Sequence, residues 1–256
     1  MMNCLKCLCL SLLLLCIVTI SFSQKKNTLT FSVGASLPLG SFANTSSTAP
    51  GISPGFAGTG IFADVLFKRK IALSPFAIAG LLGLNVNFLK INKIIENYQG
   101  NNLNFKWTGK HSNWLSIAAM PGLCYSTDIS KKVIFTAALF TGPAVAHSPG
   151  FTLKGAYNEN GYYSNAESYQ KDRWTLTVVS RLHTEAQFKI NKKTNLVVQA
   201  AYNYLKPTFT KIVQKYNQMS GPTGSPFTQV SSSFSEFTYI QNMSTVNVGA
   251  GIVMEL

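Results

Sequence analysis

The chain has 256 residues, 46% of them apolar and only 12% charged, with 22 Lys and Arg against 9 Asp and Glu for a net charge of +13. That length suits a single all-β domain, and no Pro/Ser-rich or charged linker divides it. The basic excess forms no stripe interleaved with exposed aromatics and accompanies no recognition motif, so nucleic acid is not expected as a partner.

Residues 1–23 have the layout of a cleaved signal peptide. Lys6 supplies the positive start, Leu8 to Ile20 an apolar run, and Ser21-Phe22-Ser23 the small residues before Gln24. Cys16 follows Leu15, where a lipid-acceptor cysteine needs a small residue before it, so a lipoprotein is not expected. Cys4, Cys7, Cys9 and Cys16 all fall in this leader, which leaves Cys124 as the single cysteine of 24–256 and excludes an internal disulfide there. No run of about 20 apolar residues follows Gln24, so any membrane crossing is made by strands.

Eight stretches alternate apolar and small-or-polar residues with a period of two, the pattern of strands with one face in lipid and one in a barrel interior. Leu29–Leu37 sends Leu29, Phe31, Val33 and Ala35 outward and Thr30, Ser32, Gly34 and Ser36 inward. Ala57–Phe67 puts Ile61, Val65 and Phe67 outside and Asp64 inside, and Leu73–Phe88 puts Ile78, Leu82, Leu84 and Val86 outside. Asn113–Tyr125 and Val133–Val145 follow, then Trp174–Phe188, the longest clean alternation. Leu196–Tyr204 and Val246–Leu256 complete the set. The links alternate: three are short, whereas Pro38–Phe56, Leu89–Ser112, Ala146–Arg173 and Leu205–Phe237 are long. Short periplasmic turns opposite long extracellular loops are the outer-membrane arrangement. Phe67, Phe76, Tyr125 and Phe188 lie beside the short turns and Phe88, Trp174 and Tyr204 beside the long loops, as two aromatic girdles require. The expected fold is all-β: an eight-stranded antiparallel transmembrane β-barrel in the outer membrane, formed by 24–256.

Gly34-Ala-Ser-Leu-Pro-Leu-Gly-Ser-Phe-Ala43, the Gly-rich second strand and the terminal Asn247-Val-Gly-Ala-Gly-Ile-Val-Met-Glu-Leu256 together resemble the small outer-membrane barrel domain of Bacteroidota envelopes, the group that includes PorT-like proteins. The resemblance spans 24–256 and carries no catalytic signature. It implies insertion by the barrel assembly machinery, contact with outer-membrane lipid and lipopolysaccharide, and an envelope-structural or secretion-accessory role among other envelope proteins. Leu256 departs from the aromatic residue on which such chains usually end.

Within the barrel, Asp64, Arg181, His183, Glu185 and Gln187 point inward. A turn centred near Lys192 sets Arg181 opposite Asn203 and Glu185 opposite Gln199. Buried charges must be paired, so Asp64, Arg181, His183, Glu185, Gln199 and Asn203 are expected to form a structural polar network that plugs the lumen. Lys68, Arg69 and Lys70, Lys131 and Lys132, and Lys189, Lys192 and Lys193 read as solvated charges of the three short turns. A turn centred on Ile129 would set His111 opposite His147, but two ligands make no zinc site, and neither metal nor cofactor is expected. No nucleophile elbow, phosphate loop or zinc-protease motif occurs, so the chain is not expected to be an enzyme. The long loops carry Lys106, Trp107 and Lys110, and Lys211, Lys215 and Tyr216, cations with aromatics that suit glycan or lipopolysaccharide phosphate; a surface receptor is the alternative function. The segment Phe151–Tyr157 is a candidate for a hairpin rising beyond the membrane.

Overall fold

The computed structural model describes residues 27–45, 55–71, 74–99, 106–159, 162–191, 193–222, 226 and 228–256. The expected signal peptide, 1–23, lies outside them. Thirteen strands and a helix follow in chain order: β1 (Asn27–Leu39), β2 (Ala57–Lys70), β3 (Phe76–Leu89), α1 (Ile91–Gln99), β4 (Lys106–His111), β5 (Trp114–Ser130), β6 (Val133–Ser148), β7 (Phe151–Glu159), β8 (Tyr162–Gln170), β9 (Arg173–Lys189), β10 (Thr194–Leu205), β11 (Thr208–Pro222), β12 (Thr228–Ile240) and β13 (Met243–Glu255). Eight of them close an antiparallel barrel in the order β1-β13-β10-β9-β6-β5-β3-β2.

The period-two pattern dictates which side chains face where. Along β10, Asn195, Val197, Gln199, Ala201, Asn203 and Leu205 are buried while Leu196, Val198, Tyr202 and Tyr204 are exposed. The same alternation around the wall leaves Val33, Leu82, Leu139 and Val178 each 60–65% exposed in one apolar band. So large a patch is stable only against hydrocarbon, and the barrel strands, of 12–17 residues, exceed the ~9–11 that a tilted strand needs to cross it. Closure satisfies every backbone group within the bilayer. The protein is an outer-membrane β-barrel.

Three short turns and both ends of the barrel chain share one rim. Asn191 Oδ1 fastens the β9–β10 turn by accepting from the backbone N–H of Lys193 and Thr194 at 2.9 and 2.8 Å. Leu256 N–H reaches Asn27 O at 3.0 Å and ties the last strand to the first.

At the opposite rim the sequence expectation of loops is overturned. Five barrel strands continue beyond the membrane after breaks of two residues: β5 is preceded by β4, β6 runs into β7, β9 is preceded by β8, β10 runs into β11, and β13 is preceded by β12. Their extensions pair in the order β12-β11-β8-β7-β4, which repeats the barrel order β13-β10-β9-β6-β5. The second sheet is therefore the barrel wall carried upward on five of its eight strands. Leu205–Phe237 is not a loop but mostly the β11–β12 hairpin, and the last barrel strand begins at Met243, before the expected Val246. Strands β1 to β3 stop at the rim. Gly40, in the left-handed region at φ 55, turns the chain after β1 into a short 3₁₀ segment, Gly40–Phe42, that drops Phe42 into the barrel mouth.

The lumen is filled. Phe62, Leu66, Leu81, Met120, Phe140, Val197 and Val253 are buried within it, as expected of an eight-stranded barrel. Gly34 and Gly249 pair across β1 and β13, where a Cβ would collide with Val248 O or Val33 O and lie 2.7 or 2.6 Å from the Phe62 ring, so the missing side chains allow both the close backbone approach and the ring. An aromatic chain seals the mouth: Phe42 meets Trp114 at 5.3 Å between centroids, Trp114 meets Phe209 at 6.0 Å, and Phe209 meets Tyr239 at 5.4 Å. Trp114 also donates from Nε1 to Gly55 O at 2.7 Å.

Candidate functional site

The inward polar residues of β9 form a ladder along the lumen. Arg181 donates from Nη1 and Nη2 to Asp64 Oδ1 and Oδ2 at 3.1 and 2.5 Å, and Gln199 Nε2 adds a third bond to Oδ2 at 2.9 Å. His183 Nδ1 lies 3.4 Å from Arg181 Nη2, and its Nε2 lies 3.2 Å from Glu185 Oε2. Arginine can only donate, so the tautomer with its proton on Nε2 satisfies both contacts. Glu185 Oε1 takes Lys68 Nζ and, at 2.7 Å, Gln187 Nε2. Asn195 reaches Gln187 Oε1 at 3.4 Å. Asp64, Lys68, Arg181, His183 and Glu185 are all at most 6% exposed, and their two cations match their two carboxylates.

Two sequence expectations need correction. Lys68 is not a solvated turn charge, because period two places it on the inward face with Asp64 and Leu66. Asn203 does sit opposite Arg181, and Gln199 opposite Glu185. Asn203, however, donates to Thr245 Oγ1 at 3.1 Å and belongs to a neighbouring polar cluster.

The histidine pair at the outer rim does not form. The β5–β6 turn lies at Lys131-Lys132, so His147 pairs with Leu115 and His111 with Phe151. His147 Nδ1 contacts Asn113 O at 3.0 Å and Nε2 contacts Asp172 Oδ2 at 3.1 Å. Ser148, beside it in sequence, meets the Tyr239 hydroxyl at 2.5 Å. Both ring nitrogens are thus engaged by Asn113 and Asp172 while the Ser148 hydroxyl is engaged by Tyr239, so these side chains do not make the nucleophile–base contact of a hydrolytic triad. Burial pushes the Tyr239 hydroxyl up to about 12, its bond with Ser148 offsetting part of the rise.

The extracellular sheet separates the six residues that the loops suggested. Its inner face continues the lumen and is covered by α1: Ile94 is buried, the Tyr98 ring meets Trp107 at 5.8 Å, tilted by 58°, and Tyr98 Oη contacts Ser168 Oγ and Gln214 Nε2, both at 2.9 Å. Trp107 and Tyr216 lie on this inner face, Tyr216 donating to Gln218 Oε1 at 3.1 Å. Lys106, Lys110 and Lys215 lie on the outer face, in register through Ala156, Thr152 and Tyr169. Lys211 is in neither set. It occupies the bulge between Phe209 and Ile212 at φ 55, its carbonyl accepting from Arg173 Nε at 2.9 Å. The sequence reading did not single out Lys154, Tyr169 or Phe234, which share the outer face. Alternation through β7 and β8 was the available signal.

The lipid-facing wall also has a depression of about 450 Å³ among Leu139, Thr141, Ser180, Leu182, Tyr202 and Tyr204. Two of the hydroxyls there are bonded locally, Thr141 donating to Val179 O at 3.1 Å and Tyr202 to Ser244 Oγ at 3.3 Å.

The sequence matches no protein-family model, and no curated protein matches it. Similar solved structures include Neisserial surface protein A, 11% identical with a TM-score of 0.40 over 90% of this chain and 97% of that one. A major outer membrane protein from Thermus thermophilus is 11% identical with a TM-score of 0.41, over 90% and 99% of the two chains. The attachment invasion locus protein of Yersinia pestis is 10% identical with a TM-score of 0.36, over 90% and 97%.

Proposed function

We propose that this chain is a non-enzymatic outer-membrane barrel that works by display: the barrel is a sealed anchor, and the wall extension above the membrane is the working part. The observation that carries this reading is the pairing of a lumen closed by a charge-balanced ladder with a five-stranded sheet built on the same strands. Such a molecule suits an envelope-structural or secretion-accessory role of the PorT-like kind, inserted by the barrel assembly machinery and contacting other envelope proteins through the sheet. The glycan-receptor reading is favoured by one separate observation, the meeting of Lys106, Lys110 and Lys215 on a single face.

The test has three arms. Planar bilayers containing the purified protein should show no stable channels, and steady conductance would overturn the sealed anchor. A tag placed in the β11–β12 turn should be cut by protease added outside intact cells, and protection would overturn display. Lipid A and phospholipid profiles should be the same with and without the gene, and a lost modification would make the protein an enzyme.

A further inference from the structure

The outer face of the extracellular sheet is the lipid-contact wall continued upward, and its composition changes as it leaves the bilayer. Below the rim β9 presents Leu176 and Val178, 60% and 64% exposed, topped by Trp174 at 53%. Above the rim the same side of the wall presents Lys110, Thr152, Tyr169, Lys215 and Phe234 as one row across five strands. Lys215 Nζ lies 5.9 Å from the Phe234 centroid, with that ring 65% exposed. The next rows add Lys154, whose side chain is 71% exposed, and Lys106. Lys154 has only a loose contact with Glu167, at 3.8 Å.

Height decides what can meet this face. Tyr169 precedes Trp174 by five residues, so at ~3.3 Å per residue its row stands no more than roughly 16 Å above the aromatic girdle. That is the layer occupied by the headgroups of the lipids that pack against Leu176 and Val178. Lys215 stands two strand spacings from Lys154 and three from Lys110, ~10–15 Å, while Lys110 and Lys154 are diagonal neighbours on adjacent strands at ~7–8 Å, a spread that matches several anionic groups of one headgroup rather than one compact anion. The exposed rings of Tyr169 and Phe234 offer apolar faces to sugar rings.

We propose that this face binds the phosphorylated sugar headgroups of glycolipid in its own leaflet, with Lys110, Lys154 and Lys215 holding the phosphates and Tyr169 and Phe234 the sugars. This rests on the display reading, which fails separately if the β11–β12 turn proves inaccessible from outside.

The test uses the full-length protein in phosphatidylcholine vesicles doped with purified lipopolysaccharide, either intact or phosphatase-treated. The variants are K110Q/K154Q/K215Q on the sheet and K131Q/K132Q/K193Q on the turns, both checked for the heat-modifiable gel shift of a folded barrel. Intact lipopolysaccharide should bind the wild type and the turn variant equally and the sheet variant about tenfold or more weaker. Phosphatase treatment should weaken wild-type binding to the same degree and leave the sheet variant unaffected. Equal losses in both variants would reduce the effect to net charge and overturn the assignment. Binding of soluble dextran sulfate without retention of intact lipopolysaccharide would overturn it too, by making the ligand a free polysaccharide.

Discussion

Replacing Arg181 with Met tests whether the lumen ladder holds the barrel together. Asp64, 3% exposed, accepts three hydrogen bonds, two of them from Arg181. Arg181→Met leaves a buried carboxylate with Gln199 as its one remaining donor among these. Two charge-assisted bonds at ~1.5–3 kcal/mol each, less what the packed Met side chain restores, give a loss of about 3–5 kcal/mol. Asp64→Asn should cost a similar amount by stranding the guanidinium. The double variant carries neither charge and should cost about as much as one single variant, not the sum of two, a coupling of roughly 3–5 kcal/mol. The assay is reversible urea unfolding from lipid vesicles, followed by fluorescence of the 3 tryptophans. At an m-value of about 3 kcal/mol/M the midpoint of each single variant should fall by roughly 1–2 M. Single losses below about 1 kcal/mol, or a double variant as unstable as the two singles summed, would refute the claim that this pair is a coupled structural element.

Other outcomes follow from the same geometry. Lys68→Met should destabilise the barrel by about 3 kcal/mol because Glu185 loses its cation, whereas Lys131→Met in the neighbouring turn should change stability by less than about 0.5 kcal/mol. Equal effects in urea would restore Lys68 to the solvated rim. Phe209→Ala removes the middle of the aromatic chain between Trp114 and Tyr239 and should cost about 3–5 kcal/mol. The base of the extracellular sheet should then become sensitive to limited proteolysis, and unchanged resistance would mean that the sheet stands without this cap. Tyr239 is raised by burial above its ordinary value near 10 to about 12, so its neutral form stabilises the fold fully below pH 10, and that contribution is lost as pH climbs toward 12. Ultraviolet titration of wild type against Tyr239→Phe should therefore show one late phenolate that the variant lacks; ionisation near pH 10 would mean a wet site.

The barrel was readable in the sequence because lipid on one side and packed side chains on the other force a strict alternation that leaves its mark on every barrel strand. The β9–β10 register was readable too, since a short turn whose centre is known fixes all pairings above it, as it does for Glu185 and Gln199. The β5–β6 register failed on the same logic. A centre on Ile129 would pair His111 with His147, but the turn is at Lys131-Lys132, and the two-residue shift carries upward to separate them. Lys68 was misread because a Lys-Arg-Lys run looks like a turn, although strand period alone would have turned its side chain inward. The extracellular sheet was least legible. Its strands lie in water on one face and under a single helix on the other, so stretches such as the serines of β12 carry little apolar contrast.

An open sheet above the membrane has two problems that a closed barrel avoids, and their solutions point to where function lies. Its edges, β4 and β12, must resist pairing with other chains. β4 has six residues, two of them Lys, and β12 is rich in serine with Glu236 among them, so neither offers a long apolar template. Its faces must also find cover, since isolated strands gain too little from backbone pairing alone. The inner face has α1, with Ile94 and Tyr98 packed toward Leu153, Ser168 and Trp107. The outer face has no such cover among the described residues, yet it keeps Tyr169 and Phe234 exposed between lysines. Exposed rings do not favour solubility, and each leaves one face open beyond its cross-strand contact with Lys215. Their exposure beside Lys110 and Lys215 is what the proposed anionic, sugar-bearing ligand would use, and the height of the row above Trp174 would put the leaflet's own headgroups within reach.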